Sequence, residues 1–198
     1  ERLDGCEDWP NEQAERGVLV KAEIVGRRSP TEGLAYLAGV DDLFCSPAGR
    51  FGRDLETGRL YASVRDYTSA ESRYADARLL QDAVPHGLHT MAYHDLRMRW
   101  VRRECNPDAP EVSLAVAHPD PSIASAAYAY RAWLHAGNEN YARHVDDLIR
   151  AVSYATLDTE EPVDVATLAT SAHALAQVAF ETANEAGIEA ARAAANVI

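Results

Sequence analysis

The sequence is short of the features by which chains most readily announce their chemistry. It holds one lysine, Lys21, beside eighteen arginines, so its positive charge is carried almost entirely by guanidinium groups. Its three cysteines, Cys6, Cys45 and Cys105, are far apart and form no CxxC pair, which removes the usual zinc-knuckle and dithiol redox motifs. No apolar run approaches the ~18 residues of a membrane span. GxSxG, GxGxxG and GxxxxGK[ST] are all missing, so the nucleophile elbow and the common phosphate cradles are absent. The opening residues Glu1-Arg2-Leu3-Asp4 lack the basic and apolar segments of a signal peptide. These absences lead to the expectation of a cytoplasmic protein with three reduced thiols. The arginine and alanine bias points to a GC-rich, bacterial genome.

What is there is a chain of 198 residues, 47% apolar and 25% charged, long enough to bury a core without covalent staples. The formal charge is −12, and it is unevenly spread. Residues 1–103 hold 17 acids against 15 bases, residues 104–198 hold 14 against 4. A second half of that sign repels a nucleic-acid backbone and attracts basic partners.

Periodicity gives the expected fold. Val18, Val20, Ala22 and Ile24 alternate with Lys21 and Glu23, which reads as a half-buried strand. Residues 51–55 and 59–67 flank Glu56-Thr57-Gly58, which reads as a hairpin. After Tyr67 the period becomes helical. Thr68-Ser69-Ala70-Glu71 has the form of a capping box, a second helix starts near Gly87, and Asp120-Pro121 opens a third. That helix is expected to turn at Gly137 into a fourth, and a last long helix to run from about Pro162 to Gly187. The expected class is α+β, predominantly α, with an N-terminal arm and small antiparallel sheet over 1–67 and a helical bundle over 68–198.

Two constellations could carry chemistry. His86, His89, His94 and Asp95 are the residue types of a zinc or iron site, but His94 lies about 140° around an ideal helix from His89. A site would therefore need further ligands such as His144 or Asp147. The dipeptide His94-Asp95 resembles the pair used by HD-type metal-dependent phosphohydrolases, although no histidine precedes His86 to serve as the earlier ligand. The second constellation is Arg97, Arg99, Arg102 and Arg103 around Trp100, either a phosphate-contacting strip or internal counter-charge at a helix C-terminus.

The sequence thus leads to a non-enzymatic interaction or regulatory protein, of the immunity or phage-accessory kind, that needs no cofactor. Its acidic helical half, with Asp146 and Asp147, would engage a basic protein partner and no membrane, and self-association stays open. The alternative is a hydrolase holding a divalent metal on His89, His94, Asp95 and His144. A nucleic-acid binder using the arginine strip comes third.

Overall fold

A computed structural model describes residues 12–104, 106–155 and 165–196. Their regular structure is entirely helical. Ten α-helices follow in order: α1 (Glu12–Arg28), α2 (Pro30–Gly39), α3 (Pro47–Ser63), α4 (Tyr67–Arg78), α5 (Gly87–Arg102), α6 (Pro110–Val116), α7 (Pro121–Gly137), α8 (Tyr141–Ala155), α9 (Val165–Glu181) and α10 (Glu185–Ala195). The chain divides into two compact units, Glu1–Met91 and Ala92–Ile198, with the boundary inside α5. No helix among the described residues is long and apolar enough to cross a membrane. The expected arm lies largely outside the described residues.

The expected N-terminal sheet is wrong: both of its segments are helices. The alternation at Val18–Ile24 misled because Val20 and Ile24 are 49% and 54% exposed. The buried positions of α1 are Glu15, Ala22 and Gly26, with Val18 and Leu19 half-buried between them. That spacing is the 3.6-residue stripe of an amphipathic helix. Ala22 packs there with Leu37, Phe44 and Leu60. The second segment is α3, and Gly58 is no loop residue. It lies buried within the helix, where an added Cβ would stand 2.5 Å from Cε1 of Tyr74 on α4. Glycine allows these two helices to approach closely.

Three helix starts share one device. Ser29, Ser46 and Asp120 each precede a proline at the first helical positions, and each side-chain oxygen accepts from a backbone N–H of the opening turn, at Glu32, Gly49 and Ser122 respectively. Proline loses nothing there, since the first-turn N–H groups have no helical partner. Asp66, not the expected Thr68, caps α4 by accepting from the Ser69 amide.

Four helix ends share another. Arg65, Arg103, Glu139 and Ala183 take left-handed φ values of 65°, 59°, 58° and 52°. The next amide in each case donates back to a carbonyl five residues earlier: Asp66 to Tyr61 at 3.0 Å, Glu104 to Arg99 at 2.9 Å, Asn140 to His135 at 2.9 Å and Asn184 to Ala179 at 2.8 Å. These are αL helix stops that satisfy otherwise orphaned carbonyls. Asp66, Asn140 and Asn184 then offer side-chain oxygens to the first turn of the following helix. One residue thereby closes one helix and opens the next, producing the tight hairpins α3–α4, α7–α8 and α9–α10. The expected stop at Gly137 is shifted to Glu139. The expected run through Gly187 is broken at Ala183, and Gly187 lies inside α10 against Ala179.

In the second unit the apolar faces of α8, α9 and α10 close on Val145, Leu148, Val152, Leu175, Ala179 and Ala194. In the α7–α8 hairpin Leu134, Val145 and Leu148 are buried, Ile123 and Tyr130 are half-buried and Tyr141 is exposed. In the first unit Glu15 on α1 accepts from the amides of Cys45 and Ser46 at 2.7 and 2.8 Å and from the Ser46 hydroxyl, tying α1 to the start of α3. Cys45 is disulfide-bonded, so the expectation of three reduced thiols does not hold.

Candidate functional site

The second unit carries two concavities. One is a charged pocket of about 260 Å³ lined by Asp108, Arg131, His135, Arg143, Asp146, Asp147 and Arg150. Its residues follow from helical spacing. Arg143, Asp146, Asp147 and Arg150 stand at i, i+3, i+4 and i+7 on α8, one continuous face. Arg131 and His135 stand at i and i+4 on α7, and the hairpin sets the two faces against each other.

The floor of this pocket is an ion pair. Asp147 is 3% exposed and accepts from Arg131 Nε at 2.8 Å and Nη2 at 2.6 Å. The bidentate geometry compensates the cost of burying the carboxylate, and that hydrogen-bonded carboxylate raises the Arg131 pKa. His135, 4% exposed, places Nε2 3.6 Å from Asp147 Oδ2. Burial pushes its pKa down against the attraction of Asp147, which keeps the imidazole neutral at neutral pH. The rim carries both signs. Arg143 pairs with Asp108 at 3.0 Å with both side chains largely exposed. Arg150 lies over the Tyr128 ring, 5.7 Å from its centroid, and reaches the Tyr128 hydroxyl at 3.4 Å.

The other concavity is an aromatic cleft of about 250 Å³ lined by Trp100, Ala126, Ala129, Tyr130, Trp133, Thr170 and Ser171. Trp100 and Trp133 are 43% and 41% exposed, and the Trp100 and Tyr130 rings lie 5.3 Å apart. Alanines at 126 and 129 on α7 leave the space that the rings border.

The residues expected for a metal fall in different settings. His89 is half-buried in the part of α5 belonging to the first unit, with its ring 6.4 Å from that of His86. In the second unit His94 is buried and its ring lies 5.4 Å from that of Tyr93, while Asp95 is half-buried. His144 is buried, with Nδ1 2.7 Å from the Ala132 carbonyl oxygen. Among the described residues no group of three or more His, Cys, Asp or Glu side chains is placed to hold a metal ion. Of the two carboxylates assigned to a partner, Asp147 is engaged internally and Asp146 is exposed at the pocket rim. In the arginine strip, Arg99 pairs with Glu111 and, at 3.7 Å, with Glu104, and Arg102 lies 3.8 Å from Glu104.

Sequence reasoning missed Asp108, Arg131, His135, Arg143 and Arg150 as a group. The charge spacing on α8 was visible, but the α7 residues that complete the pocket are brought in only by the hairpin. Compared with known proteins, the chain matches no family model, no curated protein and no solved structure.

Proposed function

We propose that the protein is a non-enzymatic interaction module whose second unit captures arginine or lysine side chains of a basic protein partner in the aromatic cleft. The observation that carries this is the presentation of two half-exposed indoles and Tyr130 around one concavity. Tryptophan and tyrosine are the residues on which interface energy concentrates. A guanidinium or ammonium over an indole face contributes about 0.5–2 kcal/mol, more as it is desolvated. Charge favours the same occupant, because residues 92–198 hold 15 acids against 8 bases and Arg99, Arg102, Arg131 and Arg143 all pair with acids of their own unit.

A titration of the whole chain, followed by tryptophan fluorescence, tests the reading. An arginine-rich peptide is expected to bind and to weaken as salt is raised, with a glutamate-rich peptide of equal length inert. Trp133→Ala is expected to lower the affinity about tenfold, the scale of a lost cation–π contact. Equal binding of both peptides, or full affinity in Trp133→Ala, overturns it.

The disulfide at Cys45 bears on where such a module works. Structural disulfides persist in oxidising compartments and are rare where glutathione and thioredoxin keep thiols reduced. We infer that the protein acts outside the reducing cytoplasm, in place of the location expected from the sequence.

A further inference from the structure

The charged pocket between α7 and α8 is separate from the aromatic cleft, and its chemistry selects a different ligand. Three guanidinium groups and three carboxylates line it, with His135 neutral beside them. A simple anion meeting Arg143 and Arg150 also meets Asp146, one turn of α8 from each, and Asp108. A simple cation drawn to Asp146 meets the two arginines. Only a ligand that carries both charges at short separation satisfies the rim without leaving one sign opposed. A ligand with no net charge also escapes the long-range repulsion that a chain of formal charge −12 exerts on anions.

Size narrows the class. The cavity of about 260 Å³ has room for a small ligand. The walls are charged and bear no aliphatic side chain. We propose that this pocket binds a free zwitterionic α-amino acid of polar side chain, its carboxylate on Arg143 and Arg150 and its ammonium on Asp146 and Asp108.

The pocket is built to hold that arrangement. Its floor is fixed by the bidentate Arg131–Asp147 pair. Tyr128 carries Arg131 at 5.1 Å and Arg150 at 5.7 Å from its ring centroid and stacks on Tyr154 with centroids 5.4 Å apart. The Arg150 head is therefore positioned before any ligand arrives, which lowers the ordering cost of binding. The Arg143–Asp108 pair is exposed on both sides. Pairs of that kind contribute little to stability, so a ligand can replace it group for group.

Calorimetric titration of the whole chain with a panel of polar L-amino acids tests the proposal. The best binder is then compared with its N-acetyl derivative, which lacks the ammonium, and with its carboxamide, which lacks the carboxylate. At least one amino acid is expected to bind, with each derivative at least tenfold weaker. Arg150→Ala and Asp146→Ala, both at exposed positions, are each expected to lose about tenfold in affinity while keeping the wild-type circular dichroism spectrum. Absence of binding at millimolar concentration overturns the proposal. So does a derivative that binds as well as the parent, which would mark a plain anion or cation site, or unchanged affinity in both variants. None of these outcomes depends on the tryptophans of the cleft, so this site and the peptide reading fail independently.

Discussion

At the scale of single residues, Asp147 and Asp146 are chain neighbours with opposite fates. Asp147 faces α7 and is enclosed, holding Arg131 through two hydrogen bonds, whereas Asp146 is exposed. Removing one member of a buried, hydrogen-bonded ion pair leaves the other desolvated and uncompensated. Asp147→Ala is therefore expected to lower stability by about 3 kcal/mol, the low end of the usual range because Arg131 retains 20% side-chain exposure. Asp146→Ala is expected to stay within about 0.5 kcal/mol of wild type. Urea unfolding followed by circular dichroism measures both, and equal effects of the two substitutions would show that the pair is not the fixed floor of the pocket. The sequence displayed both carboxylates and their charge but not the difference between them. Which of two adjacent acids is enclosed depends on the rotation of α8 against α7, and that is set by Val145, Leu148 and Val152, not by the acids.

At the scale of elements, legibility depended on whether a local signal had one meaning or two. Asp120-Pro121 was read correctly as a helix start. Ser29-Pro30 and Ser46-Pro47 carry the same signal, a capping oxygen followed by a proline at the first turn, yet the first sits in a run of turn formers and the second beside Cys45. Both admitted another reading. Glycine was the other ambiguity. Glu56-Thr57-Gly58 has the composition of a hairpin loop, but Gly58 serves the crossing of α3 and α4. A non-local requirement of that kind leaves no trace in the window around it. Gly58→Ala consequently tests the reading. Alanine is the better helix former by ~1 kcal/mol, so an exposed helical glycine would gain stability from this change. Here the new methyl meets the buried Tyr74 ring, and overpacking costs about 1–3 kcal/mol. Thermal unfolding is expected to show a net loss in Gly58→Ala, relieved in Gly58→Ala/Tyr74→Leu, where the opposing ring is gone. A stabilised single variant would show that Gly58 is not needed for the close crossing of α3 and α4.

At the scale of the whole molecule, composition pointed to three reduced thiols and the structure places Cys45 in a disulfide. Three cysteines without CxxC spacing favoured reduced thiols, but pairing depends on which loops the fold brings together, and spacing alone does not show that. Cys45 lies at the junction that Glu15 builds, where one carboxylate gathers the amides of Cys45 and Ser46 and the Ser46 hydroxyl. The disulfide at Cys45 therefore fastens a segment already held by a buried acid. A cross-link of this kind stabilises by about 2–4 kcal/mol, chiefly by restricting the unfolded chain. Thiol titration under denaturing conditions is expected to find one reactive thiol in the unreduced chain and three after reduction, from the three cysteines of the sequence. Thermal unfolding should shift to lower temperature on reduction, and the Cys45→Ser variant should unfold at that lower temperature whether or not reductant is present. Three reactive thiols in protein recovered without reductant from its native host would restore the cytoplasmic expectation. An unreduced Cys45→Ser chain as stable as wild type would show that the cross-link adds nothing to stability.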